Sequence, residues 1–273
     1  MKTLLPVAIA AAVLFVSPAQ AQRGDVCTDP LLAAFSALEP GQVVKEFEGE
    51  NDALSWAVQV VFLSLEEEDC DNWLATLEVL WLIDFKGQLD DVVIDHSGTL
   101  LVEKDEGQYS SSFFASNETE GEGDLGSLHL EYQAAYEVSA FMPFELAIDE
   151  DGKPAFVPGP IDLAVHVEVA GHATESIDDR YVALEGDLAA VADLSLRLEP
   201  QGDGAFAYEG ELAYAWAFDV DGYVQAGKFR RDVHQHREKS GSVPLAGQTS
   251  AAEIQAALAK LAAEVKALLA SLE

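Results

Sequence analysis

Histidine is the side chain best suited to proton or metal chemistry at neutral pH, and this 273-residue chain has six. His166, Glu168 and His172 share a parity, as do His234 and His236. On a β-strand residues two apart point to one face, so each group presents its imidazoles together. Such an arrangement binds zinc or copper where a third ligand converges, although strand histidines more often stand exposed or half-buried. His166, His172, His234 and His236 are weak metal candidates on this ground, and no cofactor is expected.

Five of the 15 lysines and arginines fall between positions 228 and 239: Lys228, Arg230, Arg231, Arg237 and Lys239. Guanidinium forks suit carboxylates and phosphates, so Arg230 and Arg231 are candidates to hold the head group of an anionic ligand. The plainer expectation is that the segment pairs with the protein's own acidic surface. Asp149-Glu150-Asp151-Gly152 and Asp219-Val220-Asp221-Gly222 resemble calcium loops only faintly. Glycine is fourth in each, whereas the EF-hand places it sixth, and tight turns explain both. The chain has no G-x-S-x-G, H-E-x-x-H, G-x-x-x-x-G-K or G-x-G-x-x-G. Carboxylates are too numerous for any pair to single itself out as acid and base. The reading therefore leans away from an enzyme.

The chain opens with Lys2, an apolar run from Leu4 to Val16, and Ser17-Pro18-Ala19-Gln20-Ala21. A positive start, a short apolar core and a small-x-small ending describe a signal peptide over 1–21, removed on export to a periplasmic or extracellular location. In such a compartment Cys27 and Cys70, the only cysteines, most simply form one disulfide. A formal charge of −34 disfavours nucleic acid and anionic lipid surfaces as partners.

The elements that must carry these groups are legible from hydrophobic period. In Ala205 to Val220 the even positions hold Phe206, Tyr208, Leu212, Tyr214, Trp216, Phe218 and Val220, while Glu209, Glu211 and Asp219 are odd. Strict alternation means a strand with one aromatic face and one small or acidic face. The runs 54–62 and 77–85 alternate likewise, around an acidic turn containing Cys70. Further strands are expected near 92–102, 109–115, 128–148, 161–169 and 182–198. Asn117 to Gly126 reads as a loop, Pro143 as a strand end or bulge, and Asp221-Gly222 as a hairpin turn returning through Tyr223 to Phe229. Asp29-Pro30 opens a short helix through Leu38. The fold class is mainly β: an antiparallel meander of about nine to eleven strands, closed as a barrel or packed as a sandwich. It occupies 22–240, followed by a linker over 241–249 and a long amphipathic helix over 250–273 that starts with a capping box. That helix covers the sheet or mediates self-association.

Three function classes remain. The favoured expectation is a carrier that binds an apolar or lipid-like ligand on the face of Phe206, Tyr208, Tyr214, Trp216 and Phe218, with Arg230 and Arg231 nearby. The alternatives are a structural surface protein with a filled β core and an outer-membrane barrel.

Overall fold

The computed structural model describes residues 29–50, 54–85, 93–125, 128–148, 154–177, 182–202, 205–226, 228–250 and residue 253. The leader over 1–21, Cys27 and the helix expected beyond Glu253 lie outside them.

A six-residue helix, α1 (Pro30–Phe35), begins where expected, with Pro30 in its first turn and Asp29 as N-cap. Eleven strands follow: β1 (Val43–Glu50), β2 (Leu54–Asp69), β3 (Asn72–Phe85), β4 (Val93–Asp105), β5 (Gln108–Leu125), β6 (Leu128–Ile148), β7 (Pro154–Pro158), β8 (Ile161–Ile177), β9 (Val182–Gly202), β10 (Ala205–Ala226) and β11 (Phe229–Ser250). Every pairing is antiparallel. The spatial order is the chain order, with β7 and β8 sharing β6 at its two ends. This is the meander expected, but neither barrel nor sandwich. It is one sheet that is not closed, with β1 and β11 as its edges.

Several expected breaks are strand instead. Asn117 to Leu125, expected as a loop, pairs residue for residue with β6. Its glycines and acids are tolerated because the acids stand on one face. Gly121 lies opposite Tyr132, and a Cβ there would meet that ring at 2.7 Å and its hydroxyl at 2.6 Å. The same device recurs at Gly49 with Trp56, Gly241 with Tyr214, and Gly247 with Tyr208. In each pair an aromatic ring lies over the neighbouring strand, and only glycine leaves it room. Pro143 does not end β6. It lies where β6 changes partner from β8 to β7, and its carbonyl accepts from Gly159 N–H at 2.8 Å.

Asp221-Gly222 is no hairpin turn, since β10 runs 22 residues straight through it. Gly222 has φ +150° and sits so close to β9 that a Cβ would lie 2.1 Å from the Ala183 carbonyl. Close backbone approach, not chain reversal, demands glycine there. The stretch 241–249, expected as a linker, is the second half of β11, so the β domain extends to Ser250. The long C-terminal helix of the expectation is not part of the described fold. The capping box at its start is formed, with Ser250 N–H and Oγ–H donating to Glu253 Oε2 and Glu253 N–H donating to Ser250 Oγ.

One face of this sheet is mainly apolar from β2 to β10, with cations on the edge strands β1 and β11, and its burial is uneven. Val60, Leu77 and Val102 on β2, β3 and β4 are fully buried. Phe35 of α1 stacks on Phe62 and tilts against Trp73, closing one end of the face. On the same face Leu130, Tyr132, Leu188 and Val224 remain 36–49% exposed. The buried node beneath α1 is ionic. Asp29 Oδ1 caps Leu31 and Leu32 N–H, while its Oδ2 takes Tyr109 O–H at 2.8 Å and the Lys104 ammonium at 3.1 Å. Lys104 also reaches Asp71 at 2.8 Å and donates to the Cys70 carbonyl.

Candidate functional site

Antiparallel register fixes which side chains share a row across the sheet. On the apolar face Tyr132 (β6) leads through Gly171 (β8), Leu188 (β9) and Phe218 (β10) to Arg237 (β11). Two rows away Tyr136 leads through Val167 and Ala192 to Tyr214 and Gly241. Between these rows stand Val169, Ala190, Trp216 and Lys239. The register sets a strip of small side chains between two lines of aromatics, which we call the groove. Its floor is Val167, Val169, Gly171, Ala190 and Ala192 on β8 and β9. Its walls are Tyr132 and Tyr136 on one side and Tyr214, Trp216 and Phe218 on the other. The walls stand three strands apart, about 14 Å. Tyr132 leans over Gly121 and Tyr214 over Gly241, both away from the floor.

The five aromatics singled out from sequence therefore do share a face, and they divide along it. Phe206 and Tyr208 pack against the buried core, whereas Tyr214, Trp216 and Phe218 are half-buried at the groove. The two arginines separate. Arg231 lies opposite Val224 on the apolar face, while Arg230 lies opposite Gln225 on the other. Arg230 there bonds Asp232 at 3.0 Å, and its guanidinium sits 3.9 Å from the Tyr223 ring centroid. The cations that flank the groove are Arg237 and Lys239, opposite Phe218 and Trp216. The Lys239 ammonium lies 5.6 Å from the Tyr214 ring centroid. Sequence reasoning had both in the basic segment but singled out Arg230 and Arg231, because a turn at Asp221-Gly222 gives the wrong register.

The opposite face is polar and carries five of the six histidines, His96 lying on the apolar face opposite Trp81. One row runs Glu122, Glu131, His172, Asp187, Asp219, His236 across six strands. The next contains His129, Thr174, Glu185, Asp221 and His234. Each of the four candidate metal-binding histidines meets an aspartate across the ladder. His166 bonds Asp193 at 2.7 Å, His172 bonds Asp187 at 2.8 Å, and His234 and His236 bond Asp221 and Asp219 at 2.5 Å. Hydrogen bonds donated by the rings to Asp193, Asp187 and Asp219 raise the pKa of His166, His172 and His236 respectively. The register puts His172 and His236 three strands apart, about 14 Å, so they do not meet. A different trio could hold a metal ion. Glu122, His129 and Glu131 bring one ligand atom each within 4.8 Å of one another. All are exposed or half-exposed. His129 and Glu131 share a parity on β6, but Glu122 joins them only through the β5–β6 register, in a stretch read as a loop from sequence, so the sequence held no signal for the trio.

No known protein family, curated protein or solved structure matches this chain.

Proposed function

We propose that this chain is an exported carrier that holds an apolar or lipid-like ligand in the groove on the apolar face. The observation that carries the reading is the half-exposed aromatic wall of Tyr214, Trp216 and Phe218 over a floor of small side chains. Monomeric soluble proteins rarely leave a contiguous apolar patch of this kind uncovered unless it binds something. Arg237, Lys239 and Arg231 stand on the same face at the open edge, suited to an anionic head group while the tail lies over β8 and β9. Ligand contact is assigned to Tyr214, Trp216 and Phe218, with Phe206 and Tyr208 as the packed base of that strip. Arg230 takes no part. The test is titration of a fatty acid while following tryptophan fluorescence. Binding should weaken in Trp216→Ala and in Lys239→Ala. A chain that binds no fatty acid or phospholipid overturns the reading.

Two further assignments support export and closure. Cys27 is proposed to bridge Cys70. Lys104 bonds both the Cys70 carbonyl and Asp29, and two residues of chain span about 7 Å from Asp29 back to Cys27. The capping box at Ser250 and Glu253 favours a helix over 250–273, whose apolar stripe would cover part of the face or mediate self-association. The assembly alternative draws on one observation: among the described residues, β11 is a 22-residue edge with no strand beyond it. Long open edges invite a second chain. Sedimentation would favour it if the protein sediments as an oligomer and binds no amphiphile.

A further inference from the structure

The sheet forks between β4 and β5. Their ladder runs from Asp105 and Gln108 to Thr99 and Phe114, where it stops. Beyond that point β4 stays with β3 down to Val93, and β5 stays with β6 out to Leu125. Two wings therefore diverge, β1 to β4 on one side and β5 to β11 on the other. Gly98 marks the crotch. A Cβ there would meet the Phe113 ring at 2.7 Å and the Phe114 carbonyl at 2.8 Å, so only glycine lets the two strands meet so closely before they part. A cavity of about 890 Å³, lined by Ser97, Thr99, Phe114 and Ser116 among others, borders the fork on the polar face.

On the apolar face aromatic rings bridge the two wings. Trp81 of β3 lies 6.2 Å from His96 of β4 and 6.2 Å from Phe113 of β5. His96 in turn meets Tyr136 of β6 edge-on at 5.6 Å. Trp81 is only 6% exposed, and its indole N–H has no hydrogen-bond partner. A buried donor left unsatisfied costs free energy that a bound acceptor would recover. An indole N–H only donates, so the missing group must be an acceptor. Burial pushes the Tyr136 hydroxyl up to about 12, so it stays protonated at neutral pH. Among the described residues, the salt bridges include no lysine or arginine at this cluster. An ionised carboxylate would lose its hydration here without a cation to replace it. An uncharged carbonyl avoids that cost.

We infer that the fork is a ligand subsite at which Trp81 Nε1–H binds the carbonyl oxygen of an otherwise apolar molecule, a ketone or ester. The inference rests on the carrier reading but names a different contact, since Tyr136 is itself a wall of the groove and β11's cations lie four strands further on. The subsite selects for an acceptor, where the groove selects only for apolar surface.

The experiment uses the full chain with ¹⁵N-labelled tryptophan and two probes of equal length, 2-dodecanone and dodecane. Trp81→Phe keeps the ring, removes the N–H and assigns its resonance. The expected result is a downfield shift of the Trp81 indole proton with the ketone only, and tighter binding of the ketone than of the alkane by about fivefold, the worth of one neutral hydrogen bond. In Trp81→Phe the two probes should bind alike. Equal binding of both probes to the unaltered chain, with no indole shift, overturns the carbonyl subsite and leaves the carrier reading standing. Binding of neither probe overturns both. The indole shift is read on the unaltered chain, so the result does not depend on the variant folding.

Discussion

Replacing Asp29 should separate a helix cap from a buried ion pair at the same carboxylate. Its side chain is 2% exposed and its Lys104 partner 12%, so solvent screens the pair little. Asp29→Asn keeps a good N-cap but removes the charge facing Lys104, Tyr109 and Trp73. Lys104 retains Asp71 and the Cys70 carbonyl, so the loss should be that of hydrogen bonds to a charged group, about 2 kcal/mol. Asp29→Ala also removes the cap, worth about 1 kcal/mol, and leaves the Tyr109 hydroxyl and the lysine short of a partner, for a total of about 3–5 kcal/mol. The acid dependence has a definite sign. Burial pushes the Asp29 pKa up, but hydrogen bonds from Leu32 N–H, Tyr109 and Lys104 outweigh it and hold the carboxyl below its usual value. A depressed carboxylate stabilises the fold above its unfolded pKa near 3.9, and that contribution fades as pH falls through the folded value. Urea unfolding followed by circular dichroism should show the gap between the unaltered chain and Asp29→Asn in full at pH 7, closing below about pH 4. A gap under about 0.5 kcal/mol at pH 7, or one unchanged down to pH 2, refutes the reasoning.

On the polar face, His172 should titrate above an ordinary histidine by NMR and move down in Asp187→Asn, since Asp187 is the main cause of its rise. A raised histidine stabilises below its unfolded pKa and loses that effect as pH climbs through the folded one, so any contribution fades upward from about pH 6.5. Leu77→Ala should cost about 2–5 kcal/mol in thermal unfolding, while Val224→Ala on the exposed part of the same face should stay within about 0.5 kcal/mol. Similar losses at both would mean that the face is buried throughout. Gly247→Ala places a methyl against the Tyr208 ring and should destabilise by about 1–3 kcal/mol, partly recovered in the double variant with Tyr208→Ala. Thiol labelling of the unfolded, unreduced protein should find no free thiol; two per chain would remove the Cys27–Cys70 bridge.

The strands were legible because the sheet obeys period two almost without exception, and the period comes from one continuous apolar face. Val58 and Val60, Leu77 and Val79, and Leu100 and Val102 announced buried strands before any pairing was known. Edge and end strands were harder for a physical reason. Among the described residues the outer edge of β11 pairs with no strand and its residues are mostly exposed, so Gly241, Ser242 and Pro244 could occur there without cost, and composition alone read them as a linker. The glycine errors share one cause. Gly121 and Gly222 were read through backbone freedom, whereas both are present for room, one beneath an aromatic ring and the other against a neighbouring backbone.

The candidate site was legible to the level of a face and no further. Parity places Tyr214, Trp216 and Phe218 together, because it depends only on the chain's own alternation. The rest of the groove depends on register with β6, β8, β9 and β11, which parity leaves open by any even number of residues. A slip of two along β11 would put Arg237, not Lys239, opposite Trp216. The Glu106-Gly107 turn shows how little fixes such a choice. Both residues have positive φ, the signature of a two-residue hairpin, and that turn sets the β4–β5 register through to Thr99 and Phe114. Where that ladder ends, the fork begins, and with it a buried indole N–H, that of Trp81, that has no partner. Each strand's sequence specifies its own two faces, while the groove and the fork are properties of neighbouring pairs.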